Sequence, residues 1–171
     1  GQFRWGGKYL VNPWRTSPTG VVNLKEYPKL SAYFEAHRAA LSARNVAARG
    51  VWYQTIDRVH EERCATPYLV LEDMKGYAHP VVIPPGYYPH HNLYGIWSSA
   101  WDLAVLGGLL MSELVERQVA AWCVKMRGGT LRFQAQYLRK VRLPAPEVVA
   151  GSVASELAEA FRARDRARAT Q

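Results

Sequence analysis

The sequence predicts an α/β domain of the mixed α+β kind: a small, mainly antiparallel or mixed sheet packed against two main helices, with a C-terminal helix flanking it. Three observations predict this class. Short β-prone runs, Tyr68 to Leu71, Val81 to Ile83 and Asn92 to Trp97, alternate with Gly, Pro and charged turns. Two longer segments, Pro28 to Leu41 and Asp102 to Val124, carry apolar residues at helical spacing. The chain has 171 residues, 49% hydrophobic and 21% charged, which is enough length and apolar content to bury a core.

Taken in order, Lys8-Tyr9-Leu10-Val11 reads as a strand stopped by Asn12-Pro13. Pro28 suits a first helical position, and Leu30, Tyr33, Phe34 and Leu41 form the inward stripe of the helix that follows. Val51 to Ile56 begins a run of short strands, and Glu72-Asp73-Met74-Lys75-Gly76 reads as a hairpin tip. Ser99 and Asp102, three apart, mark the start of a long helix. Leu103, Leu106, Leu110, Leu114, Val119, Trp122 and Cys123 keep one of its faces apolar. Gly107 and Gly108 interrupt it at about 1 kcal/mol each relative to Ala, so they are expected where another backbone packs close. Gly128-Gly129 is expected to end that helix and lead into a half-buried strand over Thr130 to Val141, with Leu131, Phe133 and Ala135 inward and Arg132, Gln134 and Gln136 outward. Ser152 to Arg168 reads as a final amphipathic helix. The expected division is a main domain over residues 1–146 and a helical tail over 147–171.

The formal net charge of +8 is unevenly placed. Residues 1–49 hold eight basic and two acidic side chains, residues 125–142 hold six basic and no acidic ones, and residues 50–124 are net acidic. Cationic stretches of this density attract phosphates by counterion release, so nucleic acid is the first partner to consider. The uncharged stretch from Val81 to Trp101 contains Pro84, Pro85, Pro89, His90, His91 and Asn92, a content that a membrane-spanning helix does not tolerate. Two cysteines, Cys64 and Cys123, make no disulfide framework, and no secretory signal is recognisable, so a cytoplasmic location is expected.

No catalytic or metal-ligating residue is assigned. A nucleotide or methyl-donor site would need a Gly-rich turn between an early strand and a helix, and none is found. Asp57 with Asp73-Met74-Lys75 loosely fits the carboxylate and lysine set of a metal-dependent nuclease, a pattern that arises often by chance. His60 and Cys64 lack the paired cysteines of a zinc site. The more informative groups are side chains that read DNA. Arg38, Arg44 and Arg49 lead into Trp52 and Tyr53, while Arg127, Arg132, Gln134, Gln136 and Arg139 follow the long helix. His90, His91 and Asn92 add donors. Arg pairs bidentately with guanine, Gln and Asn with adenine, and Arg or Lys neutralises phosphate.

The order of these segments resembles a known family. Lys8-Tyr9-Leu10, Glu26-Tyr27-Pro28-Lys29-Leu30 with Tyr33-Phe34, and Trp52-Tyr53 are similar to the opening of TaqI-like C-terminal specificity domains. Tyr87-Tyr88, Asn92-Leu93-Tyr94, Leu106 to Ser112, and Leu131 to Leu138 leading to Leu143-Pro144-Ala145-Pro146 resemble that family's later run. Glu72-Asp73 stands where relatives often carry Pro-Asp, and the helix after Pro146 has no counterpart in the resemblance. The resemblance implies the target-recognition part of an adenine-N6 DNA methyltransferase of a restriction-modification system. It implies double-stranded DNA as partner, an upstream methyltransferase domain in the same chain, and S-adenosylmethionine bound there rather than by these residues. Asn12-Pro13-Trp14-Arg15 departs from that enzyme class's Asn-Pro-Pro-aromatic loop at its last two positions and reads as a turn. The competing expectations are a specificity subunit of a multisubunit system and, behind it, the nuclease domain.

Overall fold

The computed structural model describes residues 3–124, 126 and 128–171, and over these the chain is mixed α+β with small antiparallel sheets, as expected. Arg127, one of the expected DNA contacts, lies outside the described residues. Internal contacts divide the chain into two compact units, Gly6–Arg63 and a larger one made of Gly1–Trp5 with Cys64–Gln171. The segment 147–171 belongs to the larger unit.

In the smaller unit, β1 (Trp14–Arg15) and β2 (Gly20–Val21) pair antiparallel, Trp14 opposite Val21. The strand expected at Lys8 to Val11 does not form. None of the described strands pairs with it, and Tyr9 is 86% exposed. Pairing begins only after Asn12, whose side chain accepts from the Trp14 N–H at 3.0 Å, and Pro13, whose carbonyl accepts from the Val22 N–H at 2.8 Å. Helix α1 spans Pro28–Ala36 with Pro28 in its first turn, and α2 spans Arg38–Ser42. The single helix expected through Leu41 is therefore broken at His37, whose N–H turns back to the Phe34 carbonyl at 3.0 Å. Of the expected inward stripe only Phe34 is buried, so no continuous apolar face holds the two pieces in line. Val51 to Ile56 is likewise a turn rather than a strand, closed by the Gln54 N–H on the Val51 carbonyl, with Ile56 exposed.

The larger unit is built around β3 (Tyr68–Glu72), flanked by β5 (Val81–Ile83) and β6 (Leu93–Ile96) in a three-stranded antiparallel sheet, where sequence had expected these runs. Tyr68, Leu69, Val70 and Leu71 are all buried, the continuous apolar run of a strand covered on both faces. Leu69 and Leu71 enter the main core with helix residues, while Tyr68 and Val70 pack with Ile83 on the other side. A second sheet pairs β4 (Met74–Lys75) with β7 (Leu131–Arg132). The expected hairpin tip at residues 72–76 is thus a place where one strand changes partners.

Helix α3 spans Leu103–Met111 and α4 spans Glu113–Trp122. Asp102 is the N-cap, its carboxylate accepting from the Ala104 and Val105 N–H groups at 2.8 and 3.1 Å. Ser99 takes no part in this cap; Ser98 instead accepts from the Ala100 and Trp101 N–H groups. The expected uninterrupted helix breaks at Ser112, whose backbone is extended and whose hydroxyl donates to the Leu109 carbonyl at 2.6 Å. Gly107 and Gly108 stay helical because α6 (Gly151–Ala163) lies directly against them. A Cβ at Gly107 would meet the Phe161 ring, and one at Gly108 would meet the Leu157 carbonyl, which is the close approach expected of them. The helix ends at Trp122, before the Gly pair. Gly128 and Gly129, at φ +84° and +79°, turn the chain instead. The strand expected over Thr130 to Val141 ends after Arg132. Gln134 then caps a short α5 (Ala135–Leu138), made of residues that favour helix over strand.

Gly108→Ala should lower stability by about 1–3 kcal/mol, because the added methyl meets backbone that cannot rotate away. Urea unfolding should show a lower midpoint at unchanged slope. Gly76→Ala, which meets open space, should leave the midpoint in place.

Candidate nucleic-acid interface

Four of the expected contacts in the smaller unit form one cluster. Phe34 stacks on Tyr53 at 5.4 Å and meets the Trp52 ring edge-on at 6.4 Å. The Arg38 guanidinium lies 4.6 Å over the Trp52 ring and pairs with Glu35 at 2.7 Å. Arg44 donates from Nε to the Leu41 carbonyl and from Nη2 to the Trp52 and Gln54 carbonyls at 3.1 and 2.9 Å. The Tyr53 hydroxyl donates to the Val22 carbonyl at 2.6 Å, and burial pushes its pKa up, so it stays a donor. Arg44 and Tyr53 thus spend their hydrogen bonds on their own backbone. Arg49 is exposed, with no side-chain partner among the described residues.

In the larger unit the expected residues gather around Asp73. Its N–H donates to the Asn92 carbonyl at 3.2 Å, continuing the β3–β6 ladder, and its carbonyl accepts from the Phe133 N–H at 2.7 Å. Its carboxylate takes the fork of Arg132, Nε at 2.9 Å and Nη2 at 2.6 Å. That hydrogen bond pushes the Arg132 pKa up, and Nη1 is left for another acceptor. Asn92 and His91 are exposed beside it, the His90 and His91 rings lying 4.0 Å apart. Gln134 and Gln136 follow on α5, hydrogen-bonded to each other at 3.2 Å rather than lined along a strand. The structure therefore brings Asn92, Arg132 and their neighbours to one edge.

Arg139 points elsewhere, into a groove along α4 with Arg117, Lys140 and Arg142, where Lys140 lies 5.0 Å over the exposed Trp122 ring. Sequence reasoning named Arg139 alone among these. The signal for the rest was available: from Arg117 to Pro146 the chain has seven basic residues and no acid.

Within the nuclease pattern, Asp73 and Lys75 are both committed to ion pairs of the protein's own. Asp73 holds Arg132, and Lys75 pairs with Glu72 at 2.7 Å, so the acid and lysine of the nuclease pattern face each other's neighbours rather than an open site. Among the described residues no three His, Cys, Asp or Glu side chains gather, and no helix is long and apolar enough to cross a membrane.

An α+β chain of this kind, with basic and amide side chains collected at an edge, is related in sequence to Type II methyltransferases. It is 43% identical over 167 residues to Type II methyltransferase M.PaeR7I of Pseudomonas aeruginosa, covering 96% of this chain and 29% of that one. It is 42% identical over 168 residues to M.XhoI of Xanthomonas vasicola, covering 97% and 31%, and 42% identical over 149 residues to M.BstVI of Geobacillus stearothermophilus, covering 86% and 26%. The chain spans between a quarter and a third of the length of these relatives. No family model matches it.

Two outcomes follow from the bonds described. Arg44→Lys should destabilise the chain by about 1–3 kcal/mol, since an ammonium cannot span the Leu41, Trp52 and Gln54 carbonyls as the guanidinium fork does; urea unfolding followed by Trp fluorescence measures it. His79 is held below the usual imidazole range by burial first, and by Lys75, Arg164 and Arg166. Below about pH 6.5 the unfolded chain takes the proton that the folded one resists. Stability should therefore be full above that value and fall as pH drops through the window beneath it. Urea midpoints measured between about pH 7.5 and 5 should show this fall, and His79→Gln should flatten it.

Proposed function

We propose that the chain is the target-recognition part of a Type II DNA methyltransferase that modifies adenine at N6, a TaqI-like specificity domain working beside a methyltransferase domain. The observation that carries this reading is the match at 42–43% identity over 86–97% of the chain, against only 26–31% of each relative. That leaves most of a methyltransferase outside the matched part, including room for the S-adenosylmethionine site and the adenine pocket. The partner is double-stranded DNA, and the location is cytoplasmic.

Lys and Arg on phosphates supply affinity, and a few side chains on base edges supply sequence choice. Asn92 and Gln134 offer paired amide groups that match adenine. Arg132, oriented by Asp73, presents Nη1 to an acceptor such as guanine O6 or N7. His90, His91 and Gln136 add donors along the same edge, and Arg38, Arg49, Trp52 and Arg139 contribute backbone contacts. Residues 1–146 carry the readout, with the helix of 147–171 as support against α3.

Binding of the chain to duplex DNA should weaken steeply with salt, by about 0.9 of a log–log unit for each phosphate neutralised. In the complete methyltransferase, Gln134→Ala or Asn92→Ala should relax sequence choice by about 1–3 kcal/mol at one position of the site. A salt-independent affinity, or an equal loss of rate on all sequences, would count against the proposal.

A further inference from the structure

We infer that the groove along α4 is a seat for one sugar–phosphate strand of nucleic acid, with Arg139, Lys140 and Arg142 on phosphates and the Trp122 ring against a sugar. This deepens the DNA-recognition reading and rests on it, because it assigns that partner's backbone to a particular surface.

The groove is built from two faces. Helix α4 is apolar twice over: Val115 and Val119 are buried in the core, while Leu114 and Trp122, 48% and 53% exposed, line a second stripe on which the Lys140 ammonium lies over the Trp122 ring. The opposite wall is the segment after α5. Gln118 fixes it in place, its Nε2 donating to the Arg142 carbonyl at 2.9 Å and its Oε1 accepting from the Arg142 N–H at 2.7 Å. The backbone from which these cations project is therefore clamped to α4 at Arg142.

Charge identifies the occupant. Among the described residues Arg15, Arg38, Lys75, Arg132, Arg166 and Arg168 each face a carboxylate, whereas Lys25, Lys29, Arg49 and Arg162 do not but lie outside the lining of the groove. Arg139, Lys140 and Arg142 face no carboxylate among the described residues, and no acid occurs in sequence between Glu116 and Glu147. Arg117, on the same groove, is balanced by Glu113 at 2.7 Å. Three unneutralised cations around an exposed aromatic ring are the elements of a groove that tracks a nucleic-acid strand. An acidic peptide would satisfy the cations too. The position favours the strand: Gln134 caps one end of α5 and Arg139 the other, so the groove begins about one and a half helical turns, about 7.5 Å, from the edge proposed to read bases.

The test is equilibrium binding of the 171-residue chain to a fluorescein-labelled, random-sequence DNA duplex of about 20 base pairs, titrated in KCl from about 50 to 200 mM. Replacing the three cations together (R139Q, K140Q, R142Q) should lower the log–log salt slope by about 2.7, that is about 0.9 for each phosphate contact. Trp122→Ala should weaken binding by about threefold at unchanged slope through lost apolar packing, and Trp122→Phe should restore most of it. Arg142→Gln alone keeps the backbone clamp and should lower the slope by about 0.9; it serves if near-UV circular dichroism shows the triple variant unfolded. An unchanged slope in a folded variant, with the parent chain still binding, overturns the groove assignment and leaves the recognition reading standing. A parent chain that ignores the duplex overturns both. A polyglutamate peptide bound as tightly as the duplex, and lost in the same variants, would make the groove a protein-docking surface and overturn the strand.

Discussion

Asp73 joins two sheets through three bonds of different kinds. Its N–H closes the ladder with the Asn92 carbonyl, its carbonyl receives the Phe133 N–H, and its carboxylate grips Arg132. A strand that would otherwise end at Glu72 is carried across to β7, which fixes where β7 and the short helix after it can lie. The edge residues take their positions from this junction: Asn92 from the ladder, Arg132 from the carboxylate, and Gln134 from the turn after Phe133. A bidentate arginine–carboxylate pair at partly exposed positions contributes modestly to stability, but its planar geometry restricts where the guanidinium can point. Orientation is the larger effect here.

What was legible in the sequence was what depends on local pattern. The three strands of the larger unit follow from β-branched and aromatic runs between turn residues, and the α3–α6 contact follows from two glycines inside an otherwise apolar helix. What was not legible depends on partners remote in the chain. Lys8 to Val11 has strand composition but no described strand beside it. Leu131 and Phe133 alternate as a strand should, yet pairing stops when Asp73 accepts the Phe133 N–H and α5 begins. The break at Ser112 likewise escapes a periodicity count, because apolar spacing carries across it on both sides while the serine hydroxyl bonds back to the Leu109 carbonyl.

The same limit governs the site. Residue type identified Arg44 and Tyr53 as possible DNA contacts, but only coordinates show a guanidinium and a phenol turned onto their own backbone. Conversely, the unneutralised cations of the α4 groove were visible as an acid-free run, although the exposed Trp122 that gives the run a shape was not. Net charge by segment is a coarse guide. Which cations lack a carboxylate is decided by pairings such as Arg132 with Asp73, between residues 59 positions apart.

The Arg44 clasp has a consequence for the smaller unit. Its aromatic cluster contains one fully buried ring, Phe34, and short helices that would fray alone. The group tying the Trp52–Gln54 turn to the end of α2 is one planar guanidinium fork that reaches three carbonyls at once. The spacing of Trp52 and Tyr53 from the helix end therefore hangs on a single side chain, so that losing one fork would release the turn and both rings together.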